Sequence, residues 1–131
     1  MASLLSAYVA RAAAQTWEWG RADCTLWPAD WVREATGIDP AARIRGLYAD
    51  GAGARRIIRA AGGLPALIGA EMKHHGFRGT TAPQAGDVGI VHVTDRKIIG
   101  AIRLPRWWVA FGASGLIGGD FEPVACWRIL G

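Results

Sequence analysis

A chain of 131 residues that is 51% hydrophobic and 20% charged has the length and composition of one globular domain with a real core, which excludes a disordered segment. No apolar run approaches the roughly 18–20 residues of a bilayer span, and the first residues carry no basic and apolar leader pattern, so the expectation is a protein made in the cytoplasm with no membrane span. Two cysteines are too few for a disulfide framework or a zinc site, and the net charge of +4 is spread along the chain as a solvated surface rather than gathered into a nucleic-acid footprint.

Leu4, Leu5, Tyr8, Val9 and Ala12 fall at helical spacings, which predicts a first helix capped by Ser3 and continued through an Ala-rich stretch to Gln15. Asp23 is a good N-cap for a second helix running to about Ala35 and closed by Thr36-Gly37, with Cys24 in its first turn. Pro28 argues for a later start, because proline disfavours helical geometry at Trp27 and removes a backbone donor. A third helix fits Ala52 to Ala61, stopped by Gly62-Gly63, and a fourth fits Pro65 to about His75 with Gly76 beyond its end. A Gly/Thr/Pro/Gln loop then leads to a β-branched run from Val88 to Val93, a polar turn from Thr94 to Lys97 and a second run from Ile98 to Leu104, which together read as a hairpin. Trp107 to Phe111 and Val124 to Ile129 are further strands. Helices first and an antiparallel sheet second make one α+β domain over residues 1–131, with no internal repeat and no linker.

The segment from Trp17 to Val32, WEWGRADCTLWPADWV, gathers four of the seven tryptophans around Cys24. A helix N-terminus favours thiolate over thiol and offers N–H groups to a developing oxyanion, so Cys24 is placed for nucleophilic chemistry. The alternative is structural: Cys24, Trp27, Trp31 and Ala35 form one stripe at helical spacing, in which a free cysteine is a small buried hydrophobe. His92 is the histidine of the strand region, five residues after Asp87, and is either a base or a ring solvated near the hairpin end. His74-His75 has no cysteine or acid at ligand spacing and is expected on the surface, without a metal. In RLPRWW, Arg103, Arg106, Trp107 and Trp108 suit a glycan or nucleic-acid platform, or an arrangement with one tryptophan in the core and one at a protein contact. Arg55, Arg56 and Arg59 read as a solvated helix face. Val124, Cys126 and Arg128 alternate with Ala125, Trp127 and Ile129 on opposite strand faces.

WGRADC, the TGIDP of Thr36 to Pro40, the RGLY of Arg45 to Tyr48, Gly62-Gly63 and the GDV of Gly86 to Val88, in this order and over nearly the whole chain, resemble a phage and prophage domain family related to NlpC/P60 cysteine peptidases. The resemblance implies a papain-like α+β fold, N-terminal helices packed on a C-terminal antiparallel sheet, with Cys24 matching the nucleophile and Asp23 the acid before it. It implies hydrolysis of an amide in a peptidoglycan stem peptide without a cofactor. It also implies a place at the virion tail tip or baseplate, with other tail-tip proteins and peptidoglycan as partners. The chain departs from the family at the histidine: in KIIGAIRL, Ile98 occupies the position of the base, which an isoleucine cannot be. Two expectations follow. One is an amide hydrolase using Cys24, Asp23 and an unorthodox His92; the other is a non-catalytic virion subunit that binds neighbouring tail proteins through the same fold.

Overall fold

A computed structural model describes residues 2–131, with side chains from Leu4 onward; the expected Ser3 cap lies outside the described side chains. Helix α1 spans Ala2–Arg11 and tightens into a 3-10 turn over Ala12–Ala14 rather than running on as α-helix to Gln15. Helix α2 spans Leu26–Thr36, α3 Gly51–Ala61 and α4 Leu64–His74. Five strands follow: β1 Val88–Thr94, β2 Lys97–Arg103, β3 Trp108–Gly112, β4 Gly115–Gly119 and β5 Glu122–Trp127.

The start of α2 differs from the expected one. It begins at Leu26, so Cys24 precedes the helix instead of occupying its first turn. Pro28 accounts for the shift: with the start at Leu26 the proline falls in the first turn, where a helix has no intrahelical partner for its N–H groups and a missing donor costs nothing. The other ends follow local chemistry. Gly37 closes α2 in the left-handed region, with its N–H on the Arg33 carbonyl, and the Asp50 side chain accepts from the Gly53 amide to cap α3.

The strands form one antiparallel sheet in the order β4-β3-β2-β1-β5. The molecule is therefore α+β, with N-terminal helices and a C-terminal five-stranded antiparallel sheet. Residues Arg78 to Thr80 run along the outer side of β5 through backbone bonds to Cys126 and Arg128, which covers that edge. Strand β4 was not expected, because three glycines in five residues dilute the alternation that marks a strand.

The helices pack on one sheet face, where Ile90, Ile102, Val109 and Phe111 meet Tyr8, Trp27, Trp31 and Met72. The opposite face has its own smaller cluster of Val91, Ile99, Ala101, Trp108, Ala110 and Cys126. Trp108 crosses its sheet neighbours to lie over Gly89, where an added Cβ would come within 2.8 Å of the indole. Trp107 points the other way and is half-exposed, so the tryptophan pair divides between surface and core. Cys126 joins the second face while Ala125, Trp127 and Ile129 join the first, following the alternation in the sequence. Among the described residues, no helix is long and apolar enough to cross a membrane.

Candidate functional site

The segment ahead of α2 is a tight loop, pinned by a bridge between Glu18 and Ala22 and turned at Gly20, whose φ is +80°. A side chain there would collide with the Tyr48 carbonyl, so the loop needs glycine for space as well as for backbone conformation. Asp23 is completely buried, and four donors converge on its carboxylate: Oδ1 accepts from the amides of Thr25 (3.0 Å) and Leu26 (2.8 Å), Oδ2 from the amide of Gly20 (2.9 Å) and the hydroxyl of Tyr48 (2.6 Å). The Trp27 amide donates to the Asp23 carbonyl. Asp23 thus ties the turn, the start of α2 and the segment carrying Tyr48 together.

This arrangement occupies the amides at the start of α2. The amides of Thr25, Leu26 and Trp27 are all committed to Asp23, and Pro28 has none, so the first turn of α2 offers no free N–H to a developing negative charge.

Cys24 rests directly on the sheet. Gly100 of β2 makes this approach possible, since a Cβ there would sit 2.8 Å from the Cys24 carbonyl oxygen and 3.4 Å from Pro28 Cγ. The half-buried Cys24 opens into a cleft of about 180 Å³ bordered by Trp19, Tyr48, helices α3 and α4, and Lys97, Ile98 and Ile99 of β2. Burial pushes the Cys24 thiol above its ordinary value, and the negative charge of Asp23 adds to the rise; the backbone N–H of Cys24 itself, then Lys97 and the Thr25 side chain, pull it down without cancelling these effects. The net direction is thus opposite to the activation expected of a helix N-terminus, because burial and Asp23 outweigh the contacts that lower the thiol. Burial, then the bond to Asp23, also raises the Tyr48 phenol, which keeps it a hydrogen-bond donor.

Ile98, at the position expected for a base, lines the cleft. His92 lies opposite Ile98 in the β1–β2 ladder and opposite Glu122 in the β1–β5 ladder, and its side chain is exposed and outside the residues that border the cleft. The structure joins Asp23 to Tyr48 beside Cys24, and among the described residues no hydrogen bond links His92 to any of the three. Tyr48 was visible as the end of RGLY, but nothing in the sequence said that its hydroxyl reaches Asp23. His74 and His75 stack edge to face at 4.9 Å near the end of α4, and no group of acids, histidines and cysteines among the described residues is arranged to hold a metal.

The other motif aspartate has a parallel role. Asp87, also fully buried, accepts from the Gln84 amide (2.8 Å), Arg128 Nε (3.0 Å) and the Ile129 amide (3.2 Å), while Trp31 Nε1 donates to the Gly86 carbonyl (2.8 Å). The entry of β1 is thereby fastened to the chain leaving β5 and to α2. No curated protein and no solved structure matches this chain. The profile of a family described as a domain of unknown function (DUF6950) matches residues 1–129, and the chain belongs to that family.

Proposed function

We propose that this chain is a phage tail-tip or baseplate-associated protein of NlpC/P60-like, papain-like architecture whose Cys24 cleft does not hydrolyse amides, and that it serves as a structural subunit binding neighbouring tail proteins. The phage assignment rests on the motif resemblance across the chain. The non-catalytic reading is supported above all by one observation: Ile98, at the position that the resemblance gives to the base, lines the Cys24 cleft, and exposed His92 is not among the residues that border it. A general base must come within about 2.6–3.2 Å of the proton that it takes, or act through one water. The raised thiol and the committed amides of α2 support the same conclusion.

The test is the pH dependence of Cys24 alkylation in a Cys126→Ala background. Because burial disfavours the thiolate, the folded pKa of Cys24 lies above that of the unfolded chain. The stability gained by keeping the thiol neutral is complete below the unfolded value and is lost as pH rises through the folded one. Alkylation should therefore follow an apparent pKa at or above the ~8.5 of a free thiol, unchanged by His92→Ala, and purified peptidoglycan sacculi should release no muropeptides. A depressed pKa that climbs when His92 is replaced, with muropeptide release abolished by Cys24→Ala, would overturn the proposal.

A further inference from the structure

The Cys24 cleft has features that the missing base leaves unexplained. Ile57 and Ile58 of α3, Leu67 of α4 and Ile98 of β2 border it while remaining only partly covered. Two cations also border it, Arg55 and Lys97, both exposed and neither in an ion pair among the described residues. On the helical side Arg11, Arg33, Arg43 and Arg45 are paired with acids, whereas Arg56 and Arg59 of α3 share the unpaired state of Arg55 but do not border the cleft. Arg55 is held beside Trp19: a Cβ built on Gly51 would lie 3.2 Å from an Arg55 guanidinium nitrogen and 3.2 Å from the indole. Two carboxylates of the cleft region are already engaged, Asp23 by its four donors and Asp50 by its cap on α3, while Asp95 in the turn before Lys97 is exposed and makes no ion pair. An apolar floor bordered by unpaired positive charge is complementary to an apolar group flanked by negative charge. The volume of about 180 Å³ is below the roughly 300–1,000 Å³ of small-molecule sites, which suits one side chain rather than a whole cofactor.

We propose that this cleft docks an acidic peptide segment of a neighbouring protein, with one apolar side chain entering between α3 and Ile98 and the flanking carboxylates pairing with Arg55 and Lys97. The inference rests on the non-catalytic reading of the cleft and specifies the chemistry of its partner.

The probes are fluorescein-labelled pentapeptides Glu-Glu-Xaa-Glu-Glu, with Xaa as Leu, Ile, Phe or Gly, titrated against the full chain by fluorescence anisotropy. At least one apolar peptide should saturate, the Gly peptide should bind at least ~10-fold more weakly, and Arg55→Glu with Lys97→Glu should weaken binding by ~10-fold or more. Both positions are exposed, and far-UV circular dichroism checks that the double variant is folded. Saturating peptide should also slow Cys24 alkylation in the unmodified protein, a measurement that needs no charge variant. The proposal is overturned if no peptide saturates below ~1 mM, if the Gly peptide binds as tightly as the others, or if bound peptide leaves Cys24 alkylation unchanged. Peptide binding that fails without muropeptide release sinks the docking alone, whereas muropeptide release sinks the non-catalytic reading beneath it.

Discussion

The Asp23 carboxylate is an acceptor for three amides and one phenol in a place that water does not reach, so replacing it should be costly whatever the protein does. Asp23→Ala leaves the buried Leu26 amide and three part-buried donors unpaired and should lower unfolding free energy by about 3–5 kcal/mol through their desolvation penalties. Tyr48→Phe removes a single donor and should cost about 1 kcal/mol. Urea unfolding followed by tryptophan fluorescence reads both values; a loss below about 1 kcal/mol for Asp23→Ala would show that other contacts hold the loop. The sequence marked Asp23 as a helix cap and, through the family resemblance, as a catalytic acid. The N-cap of α2 is instead Thr25, which makes no side-chain cap, and Asp23 holds the Thr25 and Leu26 amides from two residues upstream. The bond to Tyr48, 25 residues away, was not legible because it depends on how two loops meet in space.

Elements were readable where local chemistry punctuates them. Gly62-Gly63 and Pro65 bound α3 and α4 nearly as expected, with Asp50 adding a cap that was not named in advance, and the β-branched residues of β1 and β2 announced their hairpin. Strand β4 and the start of α2 were less legible, the first because Gly115-Leu116-Ile117-Gly118-Gly119 has little side-chain pattern, the second because a cap and a proline gave opposing signals. Gly100 could be placed in a strand, but only packing shows why it must be glycine. Gly100→Ala drives a Cβ to 2.8 Å from a backbone oxygen that cannot swing aside, so β2 and the Cys24 loop must separate. The expected loss is about 1–3 kcal/mol, with faster Cys24 alkylation as the loop lifts. Gly69→Ala provides the contrast: it lies within α4 with ordinary contact at 3.7 Å to Trp127, and should be neutral or stabilising by up to about 1 kcal/mol. Thermal unfolding of the two variants separates close packing at Gly100 from a general effect of adding a methyl group. Equal shifts would contradict the fit described for β2.

At the scale of the whole molecule, the chain closes on itself through Asp87. Arg128, just beyond β5, donates Nε to this carboxylate and its terminal nitrogen to Thr80 Oγ1 and the Ala82 carbonyl, so one side chain holds the loop before β1 against the C-terminal segment. Removing the cation while leaving a fully buried carboxylate is the expensive way to break such a pair, and Arg128→Ala should cost about 3–5 kcal/mol. That is a large share of the roughly 5–15 kcal/mol that holds a domain folded. Asp87→Asn should cost less, because Arg128 keeps Thr80 and Ala82 and the asparagine oxygen still accepts. In the double variant the buried negative charge is gone, so its loss should fall short of the sum of the two single losses by at least about 1 kcal/mol. Urea unfolding of the three variants measures this coupling, and strict additivity would show that the ion pair does not act as a unit. A coupled result would give Asp87 a physical role that needs no catalysis, beside the one that four hydrogen bonds give Asp23: Asp23 fixes the loop over the sheet, Asp87 fixes the two ends of the sheet region, and neither needs to meet a substrate. Residues that look like peptidase signatures can therefore persist through folding demands alone, which is why their presence in the sequence did not by itself decide the function of Cys24.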